Sequence, residues 1–267
     1  MAIRIVNNLV PTSWTSNTNL VGTAVAHKDC QLQIDAPGID TTAFAASLNA
    51  TTHINGLRSA VATLSGRFNP AYNCSGIGLT LGSGYTANLY SFNMNLAWVV
   101  HDTTVGTGSA ITARSYIPGL LTVSGTFNAY VDDTTVLTQP GSTVGDSATF
   151  KLIETGTGTD HTIAGNVIIS SLGAGFPVGG KPTVAYGYTF TGDVTAAGNG
   201  GSHTASPFPT GTIVAPTAGT LTLTAPGSDT YVGSAFSSAI SVTAAVGEEL
   251  AISVTAQFSG GVTITAV

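Results

Sequence analysis

The chain has 267 residues, only 7% of them charged, and a net charge of −6 at pH 7. Ordinary soluble domains carry roughly 25% charged residues, so this composition favours a surface covered by copies of the same chain or by partners. The seven basic residues are scattered along the sequence, which argues against a nucleic-acid-binding protein because that function needs clustered Lys and Arg.

Membrane and secretion signals are missing from the sequence pattern. No segment reaches the roughly 18 continuous apolar residues of a membrane helix, and no signal-peptide core follows Met1. We therefore expect no membrane partner and a cytoplasmic site of synthesis. In that compartment Cys30 and Cys74, which have no metal-binding spacing, are predicted to be two reduced buried thiols, with a disulfide as the alternative.

The first segment, residues 1–29, is polar and irregular, and we interpret it as an N-terminal arm that is ordered only when something holds it. Trp14 lies in this arm. An aromatic side chain there is either loose or docked on a neighbour, and docking is favoured because the arm is too polar to fold alone. Trp14 and the 1–29 arm are therefore the candidate inter-subunit contacts.

Strand patterns follow the arm, beginning with Gln31–Asp35. Thr41–Leu48 (TTAFAASL) is the one window that favours a short helix, with an extended segment as the alternative. A motif of the form I-x-G-L, a spacer and S-G-x-F-N then occurs twice, in 54–69 and 117–128. The spacers differ by four residues, so the alignment of the two copies needs a gap.

A second repeat needs no gap. The segments 165–194 and 233–262 align at an offset of 68 positions, and in both copies apolar residues alternate with smaller or polar ones before a Phe-x-Gly. This alternation predicts a strand with one apolar face. We expect Phe190 and Phe258 to occupy equivalent places in two similar units.

The repeats together predict an all-β protein with β-sandwich or tube-forming sheets, little helix and two similar units in one chain. We assign residues 30–90 plus 215–267 to a discontinuous first unit and 91–195 to a second unit. The Gly/Ser/Pro-rich stretch 196–214 is predicted to be a linker or surface loop.

Candidate chemical sites all have a plainer interpretation. Gly175–Lys181 (GFPVGGK) nearly fits a phosphate-binding loop, but Pro182 stands where Ser or Thr would hold Mg²⁺, and the repeat predicts a hairpin turn instead. His101-Asp102 resembles part of a catalytic triad without a nucleophile elbow, and Asp132-Asp133 is predicted to be a solvated turn. The histidines lack metal-site spacing: His27, His53, His101, His161 and His203. We predict no catalytic, cofactor-binding or metal-binding residue, no cofactor and no enzymatic activity.

Several of these segments resemble the tail tube (major tail) proteins of long-tailed bacteriophages. The resemblance rests on Arg114–Leu120 (RSYIPGL) followed by Ser124–Phe127 (SGTF), with a looser copy at Ile54–Arg58. The later half is similar in its Phe190-Thr191-Gly192 and Phe258-Ser259-Gly260 elements. Many relatives carry a helix between the halves. Here the corresponding segment is Asp132–Asp146, which we predict cannot hold a full helix because Pro140 and Gly141 break it.

This resemblance implies a structural virion protein whose subunits form trimeric or hexameric rings, stacked into a tail tube that DNA crosses without specific binding. It also implies other tail proteins as partners and assembly in the host cytoplasm. Asp and Glu side chains facing the lumen would repel DNA. The alternatives are another virion β protein, such as a capsid decoration or neck component, and a carbohydrate-binding or adhesion module.

Overall fold

The chain folds almost entirely into β-strands, as predicted. The computed structural model describes residues 2–16, 20, 25–40, 53–55, 57–68, 74–82, 86–105, 113–131, 146–154, 160–197 and 211–266. No α-helix occurs within these ranges, and the Thr41–Leu48 window lies outside them, as does Asp132-Asp133. Of the predicted linker 196–214, Ala196 and Ala197 end a strand, while 198–210 also lie outside the described ranges.

The strands divide along the chain into an early and a late group. The early strands are β1 (Ala2–Val6), β2 (Val10–Trp14), β3 (Val25–Ala36), β4 (Gly38–Asp40), β5 (His53–Asn55), β6 (Ser59–Phe68), β7 (Cys74–Leu81), β8 (Thr86–Asp102) and β9 (Tyr116–Tyr130). The late strands are β10 (Asp146–Glu154), β11 (Asp160–Gly175), β12 (Thr183–Ala197), β13 (Gly211–Thr212), β14 (Gly219–Thr224), β15 (Thr230–Ala245), β16 (Ala251–Phe258) and β17 (Thr263–Thr265). Fifteen of them form one antiparallel sheet, and β4 pairs with β5.

Two sets of six strands make up most of this sheet. The second set, β7 to β12, closes on itself through the pairings β7–β8–β9–β12–β11–β10–β7. The first set follows the corresponding order β2–β3–β6–β16–β15–β14–β2, with β2 and β3 linked by the hydrogen bond from Leu9 N to Cys30 O (3.1 Å). The first set is therefore discontinuous in sequence, and the second is contiguous.

The two sets share their β-bulges as well as their strand order. Ser170 is the extra residue in the ladder of β11 with β12, and Ser238, 68 positions later, is the extra residue in the ladder of β15 with β16. A second pair of bulges also corresponds: Lys28 is the extra residue in the ladder of β3 with β6, and Tyr90 is the extra residue in the ladder of β8 with β9. A bulge shifts the strand register by one residue, and related proteins keep their bulges at the same places. Matching bulges therefore identify the two sets as copies of one unit.

The predicted equivalence of Phe190 and Phe258 is confirmed. Both side chains are buried, Phe190 in the middle of β12 and Phe258 at the end of β16. The Phe-x-Gly glycines that follow have φ angles of +77° at Gly192 and +100° at Gly260. Such left-handed backbone is open to glycine without the steric cost that a Cβ brings, which explains why both copies end in Phe-x-Gly.

The gapped alignment of the two S-G-x-F segments is wrong. Ser65 pairs with Ser253, and Asn128 pairs with Ala185. Ser253 and Ala185 are equivalent by the 68-residue offset, so Ser65 corresponds to Asn128 and not to Ser124. A shift of four residues keeps every side chain on the same face of a strand. Alternation alone therefore cannot reveal the error.

Both sets contribute to one continuous buried core. In the second set, Phe150 lies at its centre, with ring-centroid distances of 4.9 Å to Phe92 and 4.8 Å to Tyr188. Phe127 and Tyr186 extend this aromatic cluster at 4.9 Å. In the first set the corresponding space is filled by Trp14, Tyr231, Phe258 and aliphatic side chains.

The two sets meet through backbone pairing. Ala239–Ala245 of β15 forms an antiparallel ladder of seven residue pairs with Ser91–Ala97 of β8. The sheet therefore runs without interruption through eight strands in the order β3–β6–β16–β15–β8–β9–β12–β11. Strand pairing does not measure independent folding, so the domain boundaries given above stay a prediction.

Candidate functional site: a polar sheet face and its two edges

The eight-stranded sheet has one apolar and one polar face. Side chains at alternate positions, such as Leu64, Val254 and Met94, are buried in the core. The opposite positions form what we call the polar face. It comprises the outward residues of 29–35, 59–67, 91–97, 122–128, 171–175, 183–189, 239–245 and 251–257. Period-two alternation in each strand produces this separation.

Hydroxyl and amide groups dominate the polar face, and they link neighbouring strands. The Asn93 amide donates to Thr243 Oγ1 (3.0 Å) across the junction of the two sets. The Asn128 amide donates to Ser91 Oγ (2.7 Å) within the second set. Cross-strand pairs of this kind each stabilise a sheet modestly.

Charge is sparse on this face. In the described ranges that define it, the charged side chains are Asp29, Asp35 and Arg67, and the exposed bulge residue Lys28 lines the same surface beside Arg67 and Ser65. Arg67 is paired with Glu249 in the turn between β15 and β16, and Asp35 accepts hydrogen bonds from the Gln33 amide at 3.2 and 3.1 Å. These groups lie toward the β3 side, so most of the face is electrically neutral.

The two outer strands of the eight, β3 and β11, have different surroundings. β3 pairs with β6 on one side and with β1 on the other. β11 pairs with β12 along most of its length, whereas β10 reaches only as far as Val167 on the other side. The outer edge of Ile169–Gly175 has no strand partner in the described part of the chain.

Gly175–Lys181 forms the turn between β11 and β12, so the predicted hairpin is confirmed. Gly179 has φ +76°, and its equivalent Gly247 has φ +86° in the turn between β15 and β16. The Gly180 amide donates to Pro177 O (3.2 Å). These amides close a hairpin and do not precede a helix, as a phosphate-binding loop would require.

The histidines whose side chains are described lie at separate places. His27 Nε2 lies 2.9 Å from Leu20 O, and burial lowers the pKa of its imidazole. The His101 ring lies against Gly119, where an added Cβ would overlap it. This contact explains the glycine of the I-x-G-L motif in the second copy. His161 is buried in β11. Within the described ranges, no group of three or more His, Cys, Asp or Glu is arranged to hold a metal ion.

Asp102 is engaged by neighbours other than His101. It accepts hydrogen bonds from Thr104 N (2.9 Å) and Thr104 Oγ1 (2.6 Å), and Arg114 Nη1 lies 3.5 Å away. The Thr104 hydrogen bonds, followed by the Arg114 charge, lower the pKa of the Asp102 carboxyl. Asp102 therefore fastens the start of the RSYIPGL segment to the end of β8.

Trp14 lies inside its own chain. Its side chain is 1% exposed, and its indole Nε1 donates to Ala235 O (3.2 Å). Trp14 is brought there by β2, which pairs with β14 of the first set. The sequence did not reveal this strand because its buried residues, Pro11 and Trp14, are three positions apart and show no period-two alternation. Contact between the 1–29 arm and a second subunit stays a prediction, which now concerns β1.

Both cysteines are buried and neither forms a disulfide, which confirms the reduced-thiol prediction. Burial, reinforced by the nearby Asp29 charge, raises the pKa of the Cys30 thiol to about 12. A protonated buried thiol is chemically inert near neutral pH. These cysteines are therefore part of the core.

Comparisons with protein-family models and with curated proteins find no match for this sequence. The described residues also contain no helix that is long and apolar enough to cross a membrane.

Proposed function

We propose that the chain is a structural virion protein, a bacteriophage tail tube subunit that polymerises into stacked rings forming a DNA conduit. The observation that carries this proposal is the junction between the two sets. Two copies of one unit are joined edge to edge by seven backbone-paired residues of β15 and seven of β8. One chain is therefore already a two-unit segment of an assembly that grows by strand addition.

The character of the sheet supports a conduit. Its apolar face is covered by the chain's own core, including β2 and β14 in the first set and β7 and β10 in the second. The polar face remains for the inner wall of a ring. Since backbone pairing needs no charged side chains, a chain with only 7% charged residues is suited to this mode of assembly.

Weak interaction with DNA follows from the chemistry of that wall. Binding to duplex DNA depends on cationic groups that neutralise phosphates. Two cationic side chains, Lys28 and Arg67, lie on the β3 side of the described polar face, and Arg67 is paired with Glu249. Neutral hydroxyl and amide groups let DNA pass. In this proposal Asp29 and Asp35 are the carboxylates of the described wall, on its β3 side, and neutral groups cover most of the rest.

The two repeated units in each chain lead to an expected ring size. Two equivalent units per chain would let three chains build a ring of six units, and six chains a ring of twelve. Other tail proteins would cap the ends of the stacked rings. The resemblance in Arg114–Leu120 and in the two Phe-x-Gly elements supports this assignment.

Electron microscopy of the purified chain tests the proposal. We expect rings or tubes with a central pore, and class averages along the axis give the ring size. Mass spectrometry of purified virions should find the chain in the tail. Dispersed monomers that bind only to intact capsids would favour a decoration protein, and sugar-dependent binding by monomers would favour an adhesion module. Either result would contradict the tail tube assignment.

A further inference from the structure

The edge of β11 beyond Val167 is the counterpart of an edge that the chain itself covers. In the first set, the segment Ala239–Ala245 is paired with β8. By the 68-residue offset it is equivalent to residues 171–177 of the second set, of which Ser171–Gly175 lie in β11. In the second set, Ile169–Gly175 is paired with β12 alone in the described part of the chain. The backbone edge of 239–243 is thus paired in one copy, whereas the equivalent edge of 171–175 has no strand partner among the described residues of the other. Open sheet edges are templates for pairing with another chain.

Side-chain exposure follows the same division. Leu172 is 54% exposed, whereas its equivalent Ile240 is 4% exposed at the junction with β8. Phe176 is 67% exposed, and its equivalent Ala244 is fully buried. Apolar residues concentrated on one open edge mark an interaction site. The first set shows what covers such an edge, namely the outer side of a β8-type strand.

The β8-type strand of the first set is β3, and its matching side is occupied by β1. β1 runs antiparallel to β3, as β15 runs antiparallel to β8, with Ile5 opposite Gln33 and Val6 opposite Leu32. β1 has a single strand neighbour among the described residues, and Ile5 is 53% exposed. β1 therefore stands where the hairpin of a further unit would lie.

We propose that a second copy of this chain binds through its β11–β12 hairpin to the outer edge of β3 and replaces β1 there. This inference deepens the proposed self-assembly and rests on it. Ile240 faces Leu96 and Thr243 faces Asn93 at the existing junction. Transferred to the equivalent strands, that register sets Leu172 of one copy opposite Ile34 of the next.

The exchange is favoured because the incoming hairpin makes a ladder at least as long as that of β1. Five of the seven residues equivalent to the junction segment, Ser171–Gly175, already lie in β11. The β15–β8 junction has seven residue pairs, whereas β1 and β3 have five. The hairpin turn adds a further contact, since Val246 N donates to Tyr90 O (3.0 Å) at the junction. The equivalent bond runs from Val178 N of one copy to Lys28 O of the next. The incoming hairpin also buries Leu172, which the monomer leaves exposed.

The contact is heterologous, because a hairpin edge of one copy meets a different edge of the next. Such contacts generate closed rings when the rotation closes and filaments when it does not. The polar face would continue from chain to chain without a gap. β1, once released, becomes an arm at the boundary between subunits.

Cysteine cross-linking tests the register. The transferred register sets Gly173 opposite Gln33, and both residues lie on the polar face, where a Cβ on Gly173 meets nothing within 4 Å. We expect the double variant Gln33→Cys/Gly173→Cys, treated with a short bifunctional thiol reagent after assembly, to give a ladder of chain multimers on denaturing gels. Each single variant should give monomers.

A second cysteine pair, placed out of register, is the control for nonspecific cross-linking between nearby strands. Asp29 lies on the same face of β3 as Gln33 but four residues away, a distance of about 13 Å along the strand. Asp29→Cys/Gly173→Cys should therefore cross-link far less. Equal cross-linking of both pairs, or rings without any cross-link, would overturn the proposed interface while leaving ring assembly intact.

Locking β1 tests the exchange. Ile5 and Gln33 face each other, so an intrachain cross-link in Ile5→Cys/Gln33→Cys should abolish assembly, and cleaving the cross-link should restore it. Normal assembly of the locked chain would refute the replacement of β1. A wild-type chain that stays monomeric under all conditions would refute both this inference and the proposed function.

Discussion

Gly165 and Gly233 hold the same position against the rings of two equivalent phenylalanines. A Cβ added to Gly165 would lie 2.8 Å from Phe190 Cδ1, and one added to Gly233 would lie 2.7 Å from Phe258 Cδ1. The nearby carbonyl oxygens also correspond, Asp193 O at 2.9 Å and Gly261 O at 3.2 Å. The repeat is thus conserved down to the packing of a single glycine on a ring.

Both glycines should consequently be equally intolerant of a methyl group. We expect Gly165→Ala and Gly233→Ala each to lower the free energy of unfolding by about 1–3 kcal/mol, the usual cost of overpacking a core. Urea denaturation followed by circular dichroism measures this loss. Gly227→Ala is the control, since its Cβ would meet nothing within 4 Å, and it should be near neutral. A neutral result at either repeat glycine would contradict the equivalence.

Trp14 should contribute to the stability of the monomer. Its buried ring and the hydrogen bond to Ala235 O lead us to expect that Trp14→Ala costs about 3–5 kcal/mol. Denaturation of the isolated chain at low concentration is the measurement. Val10→Ala, in the same strand but 56% exposed, should change little. If Trp14→Ala weakened assembly without lowering monomer stability, the indole would belong to a subunit contact instead.

Alkaline pH should destabilise the chain through Cys30. The pKa of its thiol rises from 9.0 to about 12 on folding, so the unfolded chain loses this proton first. Stability is therefore intact below pH 9 and falls as the pH rises from 9 toward 12, by at most about 1.4 kcal/mol per pH unit. Burial also raises the pKa of Tyr186 and Tyr188 above 10.0, which adds to the loss at higher pH.

The interval between pH 9 and 10 isolates the thiol. Cys30→Ser keeps the size of the side chain but removes the ionisation, and its free energy of unfolding should fall less over this interval than that of the wild type. Urea titrations at pH 8, 9 and 10 provide the comparison. Equal slopes for the two proteins, or rapid reaction of Cys30 with Ellman's reagent in the native state at pH 8, would show that the thiol is exposed.

The late hairpins could be predicted from sequence because their signals are local. The alternation of apolar and polar residues in 184–190 and 252–258 predicts a strand with one apolar face. The glycines of the turns and of the Phe-x-Gly elements mark the positions where the backbone adopts positive φ. β2 could not be predicted in this way. Its partner β14 lies about 200 residues later. A bulge at Thr12 separates the buried Pro11 and Trp14 by two exposed residues, so the strand lacks the alternation that would distinguish it from a polar arm.

The polar face and its open edge also depend on pairing between distant strands. Ser, Thr and Asn at alternate positions predict an outward face for each strand, but not that eight such strands form one surface. The different solvent exposure of Leu172 and Ile240 is visible only in the structure, because in the sequence both are apolar residues at equivalent places in the repeat. Whether such a residue is buried depends on its neighbour across the sheet.

Adding positive charge to the polar face should make the proposed conduit retain DNA. Ser253 lies between Ser65 and Ser241 on neighbouring strands, so a lysine there would face the lumen of a ring. We expect tubes of Ser253→Lys to bind short duplex DNA, with log affinity falling against log salt by about 0.9 for each phosphate neutralised. Wild-type tubes should bind little at every salt concentration. Thr217→Lys adds the same charge at an exposed position outside this face, and Ser253→Gln tests the size of the side chain without charge. Comparable DNA binding by Ser253→Lys and Thr217→Lys tubes would mean that the polar face does not line the lumen.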